Sequence, residues 1–379
     1  NLILPTRKST WYNYRRYPEV FMGIKDFLKY MAEHNGSDLF YRTGNAPRMR
    51  KDGQVVSLDE KILTTEDVMQ AVDELTTPEQ KERFKRGLDI DFAIYLPGLD
   101  HRFRVNIFMQ RNWPSLVIRC IKNTIQSFEE LNLPAEILKK LSLECRGIVL
   151  VSGTMGSGKS TTIASIIEYI NQTCKKHILT IEEPIEFTFK DKNCVINQRE
   201  LGLDVLSYSA GLRSFPLQSP DVLYISNIRD YATMSSVITA AETGVLVLGS
   251  LHTVNASQGV ERIINFFPPH QHAEKRTQLS YLLKGIISLR LLPRKNGEGM
   301  IPAYEIMLLT PSISRLIREG KIWEIPQFIE DGGVVGMQSF NQTLVKLVNE
   351  GKVSEEVAAE YADNKDEFIL NLRGIRKGR

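Results

Sequence analysis

In the stretch Gly147-Ile-Val-Leu-Val-Ser-Gly153-Thr-Met-Gly-Ser-Gly158-Lys159-Ser160-Thr161-Thr162, an apolar run from Ile148 to Val151 leads into a glycine-rich turn. An amphipathic pattern from Thr161 to Tyr169 follows it. The spacing G-x-x-x-x-G-K-S between a buried strand and a helix is that of a phosphate-binding loop. Gly153, Gly156 and Gly158 permit backbone turns that other residues resist. Successive N–H groups then point inward and, with the helix N-terminus, cradle phosphate oxygens. The candidate binding set is Gly153, Thr154, Met155, Gly156, Ser157, Gly158, Lys159, Ser160 and Thr161. Lys159 offers a point charge for β- and γ-phosphates, and the Ser160 hydroxyl offers a ligand for Mg²⁺. A chance glycine turn is the competing reading, and it gives no reason for the strand and helix on either side.

Downstream of the loop, apolar runs at 177–181, 222–226 and 245–250 alternate with helical patterns at 207–214 and 231–242. With a strand at 147–152 and a helix at 159–171, this alternation predicts a mainly parallel sheet with crossover helices. A helical pattern at 270–289, a strand near 301–307 and helices at 311–319, 338–349 and 354–362 follow. The 311–319 helix carries Ile313, Leu316 and Ile317 on one side and reads equally as a docking or a packing helix.

Upstream, Phe27, Leu28 and Met31 keep helical spacing up to Gly36. Strands are expected at Ser37–Tyr41, near Val55-Val56, at Ile90–Tyr95, Phe103–Phe108 and Leu116–Ile121, with a turn at Leu96–Asp100 and a helix starting at Thr64. The expected division is an extension at 1–21, disordered, an α+β domain at 22–122 and a linker at 123–145 with a helix from Pro134 to Leu143. An α/β domain at 146–310 and a helical region at 311–379 ending in a basic tail complete it.

The 379 residues suit two or three domains, and 42% hydrophobic with 25% charged residues fit a globular protein. A net charge of +3 gives no global pull toward nucleic acid or anionic membrane. No apolar run approaches the roughly 20 residues that span a bilayer. Residue 1 is Asn rather than Met, which makes Met22 a candidate start, and residues 1–21 carry Arg7, Lys8, Arg15 and Arg16 without the apolar core of a signal peptide. Cys120, Cys145, Cys174 and Cys194 form no C-x-x-C pair, and reduced thiols are expected. His34, His101, His177, His270 and His272 lack metal-ligand spacing. A nucleic-acid motor would call for a basic stripe interleaved with aromatics, which the sequence lacks.

The chain resembles the secretion-superfamily ATPases, close to the type IV pilus retraction ATPases of the PilT/PilU family. The likeness runs over about 22–365 and rests on ordered blocks: Ser37-Asp-Leu, Arg102-Phe-Arg-Val with Gln110-Arg111, the loop at 153–161, Thr180-Ile-Glu-Glu-Pro-Ile-Glu-Phe187 and Asn197-Gln-Arg-Glu200. Pro220-Asp-Val222, Ala240-Ala-Glu-Thr-Gly244, Leu251-His-Thr253 and the 310–320 segment continue the series. Glu261–Pro268 and Gly336-Met-Gln-Ser-Phe340 lean toward PilU. The resemblance implies a PAS-like N-terminal domain, a RecA-like P-loop ATPase domain and C-terminal helices. It implies ATP and Mg²⁺ as ligands and a homohexameric ring. It further implies a PilT-like ATPase and an inner-membrane platform protein as partners, peripheral membrane association, no direct nucleic-acid contact, and a cytoplasmic location at the pilus base. The implied activity is ATP hydrolysis that powers or assists pilus retraction.

On these blocks Glu186 takes the place of the water-activating glutamate, with Glu182 beside the metal shell and His252 and Arg229 in the catalytic group. Arg104 and Arg111, with Arg102, take the place of N-domain arginines that reach nucleotide, or else are ordinary surface charge. The chain departs from the family pattern after Pro220-Asp-Val222: Ser226 stands for a glycine and Asn227 for the Walker B glutamate. An amide neither accepts a proton nor offers negative charge. Val245 stands for the first histidine of the histidine box. A second expectation therefore remains open, a nucleotide-binding regulatory subunit with weak or no ATPase activity.

Overall fold

The computed structural model describes residues 23–51, 54–96, 101–121, 124–297 and 299–374. The expected extension at 1–21, the Met22 start, residues 97–100 of the expected turn, residue 122 and the tail from 375 lie outside the described residues. The chain divides into two compact units, 1–123 and 124–379.

The first unit contains α1 (Ile24–Glu33), β1 (Asp38–Arg42), β2 (Arg48–Lys51), β3 (Gln54–Ser57), α2 (Thr65–Leu75), α3 (Pro78–Lys85), β4 (Ile90–Tyr95), β5 (Arg102–Gln110) and β6 (Trp113–Ile121). Its strands pair antiparallel in the order β3-β2-β1-β6-β5-β4. Period-two alternation sends Leu39, Tyr41, Phe103, Val105, Ile107, Leu116 and Ile118 to the core. Phe27, Leu28 and Met31 of α1 and Val68 and Val72 of α2 pack there. Helix α3 escaped the sequence reading because only Phe84 is buried on it, so no apolar stripe marks it. Its signal is local instead: Thr77 caps the Gln80 N–H, Gln80 returns the bond, and Pro78 opens the helix.

The second unit runs α4 (Ala135–Ser142), β7 (Gly147–Ser152), α5 (Lys159–Thr173), β8 (His177–Glu182), β9 (Val195–Glu200), α6 (Tyr208–Ser214), β10 (Val222–Ile225), α7 (Tyr231–Glu242), β11 (Leu246–Leu251) and α8 (Ala256–Asn265). It continues with α9 (His272–Leu282), β12 (Leu283–Pro293), β13 (Met300–Leu308), α10 (Pro311–Glu319), α11 (Ile325–Asp331), α12 (Phe340–Asn349), α13 (Glu355–Tyr361) and α14 (Lys365–Leu372). The sheet order is β13-β12-β7-β11-β10-β8-β9, parallel except for the antiparallel β12–β13 pair.

The helix expected over 270–289 is half right. Helix α9 stops at Leu282, and β12 takes over at Leu283 as an interior strand between β7 and β13. Leu279, Leu282, Leu283, Ile286 and Ile287 satisfy a helical period, yet a strand buried on both faces also reads as a continuous apolar run. Strand β9 was unread for the opposite reason: it is a polar, half-exposed edge strand. Ile313, Leu316 and Ile317 of α10 are buried in the same core as the sheet, so this face of the helix packs.

Because β7, β8, β10 and β11 run parallel, their C-terminal ends at Ser152, Glu182, Ile225 and Leu251 open on the same edge. Segments leaving such ends border the binding crevice of open α/β sheets.

Candidate active site

The loop after β7 adopts the backbone its glycines allow: φ is 148° at Gly153, 76° at Gly156 and 95° at Gly158. A Cβ at Gly153 would lie 2.6 Å from the Leu289 carbonyl oxygen, so the loop is held against β12 where no side chain fits. Lys159 opens α5, and its Nζ donates to the carbonyls of Gly153 (2.9 Å) and Thr154 (2.8 Å). Burial pushes its ammonium down from the ordinary lysine range, and the Glu186 carboxylate opposes that shift. The Ser157 hydroxyl oxygen is buried with no hydrogen-bond partner among the described residues.

A cleft of about 530 Å³ opens over this loop. Met155, Gly156, Gly158, Lys159, Ser160 and Thr161 form one wall, and the polar groups of Glu182, Glu183, Glu186, Ser226, Asn227, Arg229 and His252 also line the cleft. Gly153, Thr154 and Ser157 act through the loop itself, two of them through the carbonyls that hold Lys159.

Glu182 ends β8 at 4% exposure. Its Oε1 accepts from Thr180 Oγ1 at 2.6 Å and from Gln198 Nε2 at 3.0 Å. The same Gln198 amide donates to the Phe187 carbonyl (2.8 Å) and accepts from the Phe189 N–H (3.0 Å). Glu200 accepts from the Ile185 N–H at 3.1 Å. The polar strand β9 thus fixes the segment that carries Glu182 and Glu186. Sequence reasoning quoted Asn197-Gln-Arg-Glu200 only as a mark of likeness; its alternating polar side chains, on a strand with little to bury, were the signal of this work.

Ser226 also has a role that the sequence did not disclose. Its Oγ accepts from the Glu183 N–H at 2.9 Å and bonds the Tyr208 hydroxyl at 2.9 Å. The glycine of the family pattern has no hydroxyl to make these bonds. Burial pushes Tyr208 up to about 12, so its hydroxyl stays protonated. Arg229 faces the cleft and pairs with Glu183 at 3.3 Å. Both partners are exposed enough that the pair contributes little by itself. The Asn227 Oδ1 atom is buried without a partner among the described residues. Burial and nearby Lys159 hold the His252 imidazole below the ordinary histidine range, in the neutral form at pH 7.

Val245 requires a correction. It precedes β11, whereas His252 follows it, so the two lie at opposite ends of one strand. Six strand residues at about 3.3 Å each separate them by roughly 20 Å. Val245 is buried in the core at 8% exposure, and its carbonyl accepts from the Gly147 N–H. Its loss of an imidazole therefore removes nothing from the cleft.

In the first unit, Arg104 on β5 makes a bidentate pair with Asp91 of β4. Arg111 sits in the β5–β6 turn at φ 50° and is exposed. Arg102 is buried, with its guanidinium 5.8 Å from the Tyr95 ring centroid.

Among the described residues no cluster of three or more histidine, cysteine, aspartate or glutamate side chains could hold a metal by itself. The donors fit a cation held partly by a ligand's phosphates, with the Ser160 hydroxyl and the Glu182 carboxylate on the protein side. The positive-φ glycines and the orphaned Ser157 hydroxyl fit a polyphosphate.

A family profile described as "Type II/IV secretion system protein" matches residues 24–353. The chain is 38% identical over 352 residues to the type IV pilus ATPase PilU of Pseudomonas aeruginosa, covering 93% of this chain and 92% of that protein. It is 40% identical over 347 residues to the pilus retraction ATPase PilT of the same organism, covering 92% and 100%. The crystal structure of the pilus retraction motor PilT with bound ADP superposes with a TM-score of 0.85 at 38% identity, over 92% of this chain and 99% of that one. The Legionella pneumophila ATPase DotB shares the fold, with a TM-score of 0.76 at 23% identity over 93% and 95% of the two chains. PilU and PilT stand at nearly equal identity, so the lean toward PilU rests on the two sequence blocks named above. The chain belongs to the type II/IV secretion system protein family, among its type IV pilus ATPases.

Proposed function

We propose that this chain is an ATP-hydrolysing motor subunit of a type IV pilus machine, PilU-like, which powers or assists retraction. The observation that carries this reading is the convergence of Lys159, Glu182 and Glu186 on one cleft at the ends of parallel strands. The loop N–H groups and Lys159 bind the phosphates of ATP. Glu186, exposed and not tied down by the bonds that hold Glu182, is free to orient a water and take its proton. Neutral His252 stands beside Lys159 as a hydrogen-bonding group, and Arg229 supplies positive charge at the rim. Ser160 and Glu182 would hold Mg²⁺, which would supply positive charge beside the phosphate oxygens.

A ring of six copies, with Arg104 and Arg111 reaching nucleotide, is part of the proposal, as are a PilT-like ATPase and a membrane platform protein as partners. It places the chain in the cytoplasm at the pilus base; among the described residues no helix is long and apolar enough to cross a membrane.

One observation favours a second reading, a regulatory subunit that holds ATP but turns it over poorly. Asn227 presents an unpartnered amide oxygen where a carboxylate would carry charge. Against it, Glu182 and Glu183 line the same cleft and supply the negative charge that Asn227 lacks. Phosphate release by the purified chain separates the two. Turnover that disappears in Lys159→Ala supports the motor; tight ATP binding without turnover supports the regulatory subunit.

A further inference from the structure

Glu305 is a carboxylate with no part in the mechanism above, yet it lies 7% exposed inside the second unit. It projects from β13, and its Oε1 accepts from the Ala256 N–H at 2.7 Å. Ala256 is the first residue of α8, the helix that begins just past the His252 loop. Asn255 caps the same first turn by accepting from the Gln258 N–H at 2.9 Å. Ser288 lies directly opposite Glu305 in the β12–β13 register, and its hydroxyl acts to lower the proton affinity of that carboxylate. Ser288 in turn accepts from Ser152 Oγ at 2.9 Å, and the two serines are register partners across β12 and β7. Ser152 is the residue immediately before Gly153 of the phosphate loop.

The residues form one line: Ser152 bonds Ser288, Ser288 faces Glu305 across the β12–β13 pair, and Glu305 grips the start of α8. Every member is buried, so each bond is made in a low dielectric and none is exchanged for water. The His252 loop has little else of this kind, since the Thr253 hydroxyl beside it is buried without a partner among the described residues.

The geometry points to Glu305 as a positioning residue that ties the His252 loop to the end of the phosphate-loop strand through Ser288 and Ser152. This inference rests on the reading that His252 belongs to the nucleotide site. The charged groups that act on Glu305 come from the connection between α13 and α14 as well as from β12. Arg290 opposes the rise in its proton affinity, and Asp363, paired with Arg290, adds to it. Arg290 also donates to the Tyr361 carbonyl and lies over the Phe340 ring. Burial leaves Glu305 with a pKa of about 7, so its charge, and the strength of its grip on the Ala256 N–H, change near neutral pH.

The test uses the full chain with its histidine Cε1 positions isotope-labelled, and the His252 signal assigned with His252→Ala. It reads that signal by NMR, the affinity for a fluorescent ATP analogue, and phosphate release. Glu305→Ala is expected to shift the His252 signal and to lower kcat by roughly ten- to a hundredfold, with KM changed less than about threefold. Glu305→Gln keeps an acceptor for the Ala256 N–H and is expected to restore most of the kcat while flattening the pH profile near 7. Leu344→Ala truncates a core residue in the cluster beneath the C-terminal helices and is expected to leave the His252 signal in place. Should Glu305→Ala fail to fold, Ser288→Ala cuts only the link toward β7 and should shift the same signal by a smaller amount. An unmoved His252 signal in both variants overturns the proposal, as does an equal shift in Leu344→Ala. A wild-type chain without turnover ends the motor reading instead, and leaves the NMR result standing on its own.

Discussion

Gln198 on the edge strand β9 donates to Glu182 Oε1 at the end of β8, and the same amide group holds the backbone of Phe187 and Phe189. One side chain therefore fixes both ends of the segment that carries Glu186. Gln198→Ala should lower stability by about 1–3 kcal/mol, because a carboxylate loses a donor and two backbone groups lose partners. It should lower kcat more than it raises KM, since the phosphate cradle is untouched. Thermal unfolding and steady-state ATP turnover measure the two effects; a change confined to KM would assign Gln198 to binding.

Ser226 supplies a link that a glycine cannot. Ser226→Gly removes the bonds to the Glu183 N–H and the Tyr208 hydroxyl, and should cost about 1–2 kcal/mol in a denaturant melt. Tyr208→Phe should cost less, because the Glu183 N–H keeps its acceptor. Equal losses in the two variants would show that the tyrosine bond carries the whole effect.

Asn227 places a neutral amide in a cleft that Glu182 and Glu183 also line. Asn227→Glu should raise kcat by about tenfold or more if charge at this position limits turnover. The gain should vanish when Lys159→Ala is added. No gain would mean that Glu182 and Glu183 already provide the charge.

Glu305 gives the second unit a stability that depends on pH. Its carboxyl is raised from 4.5 to about 7 in the folded chain, chiefly by burial. Between those values the folded chain binds a proton that the unfolded chain releases, so raising the pH favours unfolding. Stability should fall from about pH 4.5 to about pH 7 and then level off, by on the order of 3 kcal/mol from this group. Glu305→Gln should remove that slope, which melts at pH 5, 6, 7 and 8 would reveal.

The parallel half of the second sheet was legible because strands at 147–152, 177–182, 222–225 and 246–251 are short apolar runs separated by helices. The phosphate loop was legible because its glycines and Lys159 form a chemical motif with a fixed spacing. What escaped the reading lacked such a signature. Strand β9 is polar, α3 has one buried residue, and β12 imitates a helix through apolar residues on both faces. The cleft was legible in its charged members and hidden in its supports, since Thr180, Gln198 and Tyr208 act through bonds that only the assembled sheet brings together. Val245 was misjudged for a related reason: a motif names residues in order, and a strand running between them carries its two ends far apart.

The central position of β7 has a consequence for synthesis. Its Gly147 faces Leu246 of β11, and its Ile148 faces Leu283 of β12. Both neighbours leave the ribosome long after the glycine loop itself has emerged. Pairings so distant along the chain form slowly and late. The nascent chain thus exposes its phosphate-loop motif well before it owns a pocket, and nucleotide capture becomes a property of the nearly finished polypeptide.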